Sequence, residues 1–405
     1  MGALRPPGRG RNEPRIRQDV GARTHTENDT TVQPRTAAWL GDLSGAFADL
    51  GTFLPLVLGV VAVQQVDLTG LLVGFGVFAL VTALVYRRPV PVQPMKAVAA
   101  VVIAGGLSTP GLVATGLLLG VLLIGLSAFG LVGRLGRLIP QTVMSGIQLG
   151  VGLYLVWAGV KLMMQQPWLG IAALVVLLGL QQTRLKPLAA LVVIAAAVVW
   201  GIALAPGSLP AVDVALYLPG FHLPGPAALW ESCRDVLLPQ LALTLTNATV
   251  ITAAIAANYF PHDHARITPD RLAMSTGAMN LLLAPFSGFP MCHGAGGLVV
   301  QYRFGARTGL APAIFGATCL AMGLLAGPQA LTLLALLPMA AIGAMLLVAG
   351  SEMAITKRLR HASRDRLFVI GVTGLSCVLA NVAIALLVGW LAEWLRARLV
   401  DDEMA

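Results

Sequence analysis

Between Trp39 and Arg396 the chain is a succession of long apolar runs parted by short loops, and most of its Arg and Lys residues stand in those loops. Runs of that length cannot stay in water. In lipid every backbone N–H and C=O must be satisfied inside the protein, which leaves α-helices and closed barrels. The runs lack the strict alternation of barrel strands, so helices are predicted. Only 11% of the residues are charged, against about a quarter in soluble domains. The expectation is an all-α polytopic membrane protein.

Fourteen apolar segments are predicted, among them 39–62, 92–106, 235–258, 290–302, 308–326, 329–349 and 381–396. The third (92–106) and tenth (290–302) are too short to cross about 30 Å of hydrocarbon and read as half-helices. With the N-terminus in the cytoplasm and every segment reversing direction, all basic residues but Lys96, Lys161 and Arg234 fall on the cytoplasmic side. That is the bias cytoplasmic loops carry, so both termini are expected inside. The net charge of +9 then follows topology and calls for no nucleic acid. Residues 1–36 are rich in Arg, Pro and Thr without an apolar stretch, and are expected to be a disordered basic cytoplasmic tail. The expected plan continues with a first seven-segment repeat over 37–204 and an extracytoplasmic connecting loop over 205–233. A second, inverted repeat covers 234–398, with a cytoplasmic tail at 399–405. Seven is odd, so the halves have opposite orientation, a seven-plus-seven inverted repeat.

The two short segments break in the same way. Pro89-Val90-Pro91-Val92-Gln93-Pro94-Met95-Lys96 and Gly288-Phe289-Pro290-Met291-Cys292-His293-Gly294 each place prolines and a polar residue before a short apolar helix. Leu138-Ile139-Pro140 with Gly152 and Leu336-Leu337-Pro338 with Gly350 repeat at nearly the same spacing. Interrupted segments at matching places in two halves point to a transporter's substrate site. Each would aim a helix N-terminus, with free N–H groups and a positive dipole end, at an anion.

Candidate residues cluster around these breaks. Lys96 would supply positive charge beside the first half-helix, or form a structural pair with Asp49. Gln93 could donate its amide to an oxyanion, or simply shape the turn. His293 could donate a hydrogen bond or titrate. Gly294 lets the backbone approach a ligand, and Cys292 either lines the site or packs as a small residue. Gln240, Thr244 and Asn247 fall on one helix face, facing the cavity or bonding a neighbouring helix. Asp42 and Asp49 lie in the first span, where carboxylates mark pathways or proton relays. Together with His293 they are the proton-coupling candidates, and Asp42 could instead cap the helix. The four cysteines are scattered, no metal or cofactor motif stands out, and His262-Asp263-His264 reads as a solvated loop. No nucleophile or metalloprotease pattern supports an enzyme.

At these residues the sequence resembles the prokaryotic and plant molybdate transporter family, a branch of the sulfate permease superfamily. The matching stretches are Gly41-Asp42-Leu43-Ser44-Gly45-Ala46 with Asp49-Leu50-Gly51-Thr52, then Pro91-Val92-Gln93-Pro94-Met95-Lys96-Ala97. A third joins Met291-Cys292-His293-Gly294-Ala295-Gly296-Gly297-Leu298 to Gln301-Tyr302-Arg303-Phe304-Gly305-Ala306-Arg307-Thr308-Gly309. The resemblance implies a core domain (spans 1–4 and 8–11) moving against a gate domain (5–7 and 12–14) in an elevator-like cycle. It implies an oxyanion between the half-helix N-termini that carry Lys96 and His293. Sulfate permeases add a cytoplasmic STAS domain; the short stretch after the last span is what the molybdate branch leads one to expect. The expected activity is import of molybdate by proton symport across a bacterial cytoplasmic membrane. Sulfate or another anion, or a nucleobase with a cation, are the alternatives on the same architecture, and a channel is a further one. Relatives are often dimers, so a homodimer is left open.

Overall fold

The computed structural model describes residues 35–64, 66–183, 189–204, 215–335, 338–380 and 382–404. The expected tail up to residue 34, Arg184, Lys186, residues 205–214 of the connecting loop, Leu336-Leu337 and Asn381 lie outside the described residues. Among the described residues six helices are long and apolar enough to cross a membrane. They are Trp39–Gln64, counted across its short turn at 47–49, Leu68–Tyr86, Thr109–Ala128, Gln141–Met163, Pro226–Tyr259 and Leu310–Gly327, with three shorter apolar helices beside them.

Three antiparallel helix pairs set the frame, each through glycines that let two backbones touch. Leu68–Tyr86 lies along Leu310–Ala335, where a Cβ on Gly76 would stand 2.9 Å from Gly316 O. Thr109–Ala128 lies along Pro269–Leu283, where a Cβ on Gly277 would stand 2.9 Å from Gly120 O. Gln141–Met163 crosses Met339–Ala354 at two places, Gly152 against Gly350 and Gly159 against Gly343. Small residues at such seams allow the close approach that holds helices together in lipid.

The two broken segments meet in the middle. Val92–Pro94 (β1) pairs antiparallel with Met291–His293 (β2), with Val92 opposite His293, Gln93 opposite Cys292 and Pro94 opposite Met291. The fold is therefore not purely helical, as the sequence reading had it. Proline and glycine stop the helices on both sides of the breaks, and each short strand satisfies its backbone on the other. The half-helices Lys96–Ile103 and Ala295–Arg303 start directly after the strands.

Four boundaries differ from expectation. The first span is interrupted: Arg35–Ala46 and Leu50–Gln64 are separate helices, and Asp49 O receives the N–H groups of Thr52 (3.0 Å) and Phe53 (3.1 Å) at the start of the second. Asp42 and Asp49 thus do not share one continuous helix face, and the first helix already begins at Arg35, inside the expected tail. Leu310–Ala335 runs unbroken through Gly327-Pro328, so the break expected at 326–329 lies further on, before Met339. The long eighth helix starts at Pro226, where Gly225 and Pro226 favour a helix start, and so takes residues 226–233 from the expected loop. Its polar turn Glu231-Ser232-Cys233-Arg234-Asp235 hid this start in the sequence, yet Glu231 is fixed by accepting from Ser108 N (2.7 Å) and Ser108 Oγ (2.6 Å). Finally, Val382–Met404 carries the last helix through the expected tail.

In the loop beyond Tyr259, Arg88 pairs with Asp263 (2.5 Å) and lies over the Phe260 ring. The hydrogen bond from Arg88, with the charges of Arg88, Arg266 and His262 added, holds the Asp263 carboxyl below the usual carboxylate range. The expected solvated loop is thereby tied to the turn that follows Tyr86.

Candidate functional site

Because β1 and β2 run antiparallel, the two half-helices leave the strand pair with their N-termini facing one cavity of about 280 Å³. Gln93, Lys96, Gln240, Asn247, Cys292 and His293 border it. Thr244 and Gly294 do not: Thr244 lies buried behind Gln240, and Gly294 lies behind Gln93. The wall opposite the half-helices is made by Gln148, Glu352, Met353 and Thr356, with Gly51 and Thr52 at one side.

Each polar group has a definite task. Gln240 Oε1 accepts the Ala97 N–H (3.1 Å), one of the free donors of the first half-helix, and its Nε2 donates to Thr244 Oγ1 (3.1 Å). Gln240 and Thr244 therefore brace the half-helix end. Thr244–Ile251 is a π-helical stretch, with Thr252 Oγ1 donating to Asn247 O (2.9 Å). The wider turn departs from the α-helical spacing on which one face was expected. Such bulges are frequent at functional sites.

Gln93 reaches across the strand pair. Its Nε2 donates to Asp49 Oδ2, and its amide lies against Gly294 and Gly297. A Cβ on Gly297 would stand 2.6 Å from Asp49 Oδ2. The glycines here make room for a side-chain clasp as well as for the backbone. Lys96 makes no hydrogen bond or ion pair among the described residues, and its charge is felt at Asp49 and Cys292. An ammonium in a cavity at a helix N-terminus, without a counter-ion in contact, is an arrangement that can hold a negative ligand.

His293 differs from its expected role. It is fully buried, Nδ1 donates to Pro91 O (3.1 Å), Nε2 is bonded to Ser275 Oγ (2.9 Å), and the ring packs edge-on to Phe78 and Tyr86. Both nitrogens are spent on holding the two breaks together, and none is left for a ligand. Asp42 is also placed elsewhere. Its carboxylate accepts from Arg307 N (2.7 Å), Thr308 N (3.0 Å) and Thr308 Oγ1 (2.6 Å), fixing the turn before Leu310–Ala335. Replacing Asp42 by alanine is expected to lower stability by about 2 kcal/mol, since buried donors lose their acceptor. A thermal scan in detergent checks this, with anion affinity of the folded protein unchanged.

Asp49 opens onto a second, larger cavity of about 720 Å³, shared with Arg303, Phe304, Gln181, Gln182 and Thr183. Gly51, Thr52 and Glu352 border both cavities. Sequence reasoning missed Gln148, Thr52 and Glu352. Gln148 and Thr52 are polar groups within predicted spans, and that placement was the one signal available; Glu352 lies just past the predicted 329–349 segment. Among the described residues no three His, Cys, Asp or Glu side chains are grouped as metal ligands.

A helical membrane protein with two broken segments head to head around a cavity that holds Lys96 is a transporter, not an enzyme. The chain matches the family described as "Molybdate transporter of MFS superfamily" over residues 41–155 and 234–353; it belongs to that molybdate transporter family. It is 29% identical over 407 residues to "Molybdate transporter 1" of Arabidopsis thaliana, covering 88% of this chain and 89% of the relative. It is likewise 29% identical over 464 residues to "Molybdate transporter 1" of Chlamydomonas reinhardtii, covering 86% and 89%. Among solved structures it resembles the transmembrane domain of the cyanobacterium bicarbonate transporter BicA, with a TM-score of 0.63 and 18% identity over 86% of this chain and 96% of that one. It also resembles the murine anion transporter Slc26a9 in the inward-facing state, with a TM-score of 0.67 and 14% identity over 91% and 69%. The fold is thus of the sulfate permease type that the sequence resemblance implied.

Proposed function

We propose that this protein imports molybdate by proton symport, with an elevator-type movement of a core against a gate. The observation that carries the reading is Lys96, an ammonium without an ion-pair partner among the described residues, bordering the cavity at the N-terminus of a half-helix. A tetrahedral dianion would take the charge of Lys96, remaining N–H groups of the half-helix first turns, and the amide of Asn247. A neutral nucleobase would make no use of the Lys96 charge, which weighs against the nucleobase reading. The anion-transporter fold keeps sulfate or another oxyanion as the second reading.

Import of a dianion against a negative interior costs about 4.6 kcal/mol per 100 mV, so an accompanying cation is needed. Asp49 is our proton carrier. Its Oδ2 accepts from Gln93, which borders the cavity together with Lys96. When the site is empty, Asp49 as a carboxylate balances Lys96. When the dianion is bound, a proton on Asp49 leaves the core with one net negative charge instead of two. Asp42 and His293, fully engaged elsewhere, are left out of this role.

The reading places fourteen segments in a seven-plus-seven inverted repeat. The paired contacts of Leu68–Tyr86 with Leu310–Ala335 and of Thr109–Ala128 with Pro269–Leu283 are what such a repeat generates. The larger cavity beside Arg303, on the side of the basic loops, supports reading this as an inward-open state, in a bacterial cytoplasmic membrane with both termini inside. The test is uptake of radiolabelled molybdate into proteoliposomes with the membrane potential clamped, with and without an inward proton gradient and against sulfate. Saturable uptake, raised by the gradient and resistant to excess sulfate, is expected. Uptake indifferent to the gradient removes symport, and abolition by equimolar sulfate makes the protein a general oxyanion carrier.

A further inference from the structure

We propose that Glu352 is a second titrating group of the transport cycle, a carboxylate on the gate side that governs release of the anion to the cytoplasm. The inference rests on the reading of the cavity at Lys96 as the oxyanion site. Three residues border both cavities, and they mark the neck between them: Gly51 and Thr52 from the helix after Asp49, and Glu352 from Met339–Ala354. Glu352 is the charged member of the three. An anion moving from Lys96 towards the cytoplasmic cavity has to pass it. Lys96 lies on the site side of the neck, Asp49 and Arg303 on the other.

The groups that face Glu352 are few. Asp49 comes from the segment ahead of Leu50–Gln64, Lys96 and Arg303 from the two half-helices, and His293 borders the inner cavity with both nitrogens engaged. Pro167–Gln181 offers the neutral amide of Gln181, whose Nε2 lies 3.4 Å from Glu352 Oε1, and Ala189–Leu204 holds no titratable side chain. On Gln141–Met163 the neutral Gln148 reaches the cavity, Tyr154 donates to Cys377 O, and Lys161 lies over Trp157. Past the end of its own helix, Arg358 is held by Gln141.

With Glu352 protonated the neck is neutral and the anion rests against Lys96. When its O–H bond breaks and the proton passes to water in the cytoplasmic cavity, the new carboxylate repels the dianion, which leaves by the same route. A like charge in the same cavity favours the neutral acid, so bound anion and the proton on Glu352 stabilise each other. Asp49, on the opposite wall, acts with the core; Glu352 acts from the gate.

The experiment is equilibrium binding of molybdate to the purified full-length protein between pH 5 and pH 8, for the wild type, Glu352→Gln and Glu352→Asp. Wild-type affinity is expected to fall as pH rises. Glu352→Gln is expected to bind about tenfold more tightly than wild type at pH 8, with a flattened profile, while Glu352→Asp keeps the wild-type slope. A monodisperse elution profile for each variant shows that it is folded; if the glutamine variant is not, Glu352→Ala, which also removes the carboxylate, carries the test with the same expected gain in affinity at pH 8. An affinity of Glu352→Gln equal to wild type at every pH, or a wild type insensitive to pH, overturns the proposal. If the wild type binds sulfate but not molybdate, the substrate reading fails, and the same series run with sulfate still decides the role of Glu352.

Discussion

Replacing Lys96 by alanine is expected to weaken oxyanion binding by roughly ten- to a hundredfold, the loss of about 1.5–3 kcal/mol that a charge-assisted hydrogen bond contributes. The effect falls on binding, because Lys96 supports no neighbour: among the described residues it makes no hydrogen bond or ion pair, and its side chain is only half-buried at the cavity. The half-helix start does not depend on it either, since Ala97 N–H is held by Gln240 and Met95 N–H by Pro290 O (3.0 Å). Lys96→Ala should therefore insert, fold and elute as the wild type does while uptake is lost. Lys96→Arg, which keeps the charge but changes its shape and reach, should retain part of the affinity. Titration of molybdate against the purified variants measures this. An unchanged dissociation constant for Lys96→Ala removes the residue from the site.

Replacing Gly294 by alanine should do greater damage than its size suggests. Gly294 has an extended backbone (φ −140°, ψ 121°), which any residue can adopt, so the argument concerns space alone. A Cβ there overlaps Oε1 and Cδ of Gln93. Gln93 has little room to retreat, because its Nε2 is held by Asp49 and its amide also lies against Gly297. Overpacking of this kind costs about 1–3 kcal/mol. Here it also parts the two broken segments that position Lys96 and separates Gln93 from the proposed proton carrier. Uptake is expected to fall more than tenfold for this cost, with a lower melting temperature. Gly296→Ala is the control. A Cβ on Gly296 meets nothing within 4 Å, so its thermal stability should match wild type. Equal stability of the two variants would contradict the clasp.

Both experiments depend on features that differ in how far the sequence revealed them. The two breaks were legible because proline and glycine interrupt apolar runs at matching positions, and that alone located Gln93, Lys96 and Cys292 beside the cavity. The strand pairing was not legible, since three-residue strands leave no periodic signal, and only the fold brings Val92 opposite His293. Asp42 and His293 were read as functional because polar groups in spans usually are. Their partners, the turn at Arg307-Thr308 and the Pro91 carbonyl with Ser275, are distant in sequence and could not be inferred from it. Glu352 was missed for the opposite reason. It stands near the end of its helix, close to the basic stretch that follows, where a carboxylate reads as an ordinary surface charge. Only the course of the two cavities puts it on the anion's path.

The most direct measurement is the position of the bound anion. Crystals of the full-length protein grown with molybdate, recorded on both sides of the molybdenum absorption edge, locate the metal by its anomalous signal. A single strong peak in the cavity, within hydrogen-bonding reach of Lys96 Nζ and of the first turn of Ala295–Arg303, is expected. A peak elsewhere in the protein, with this cavity empty at saturating molybdate, contradicts the site.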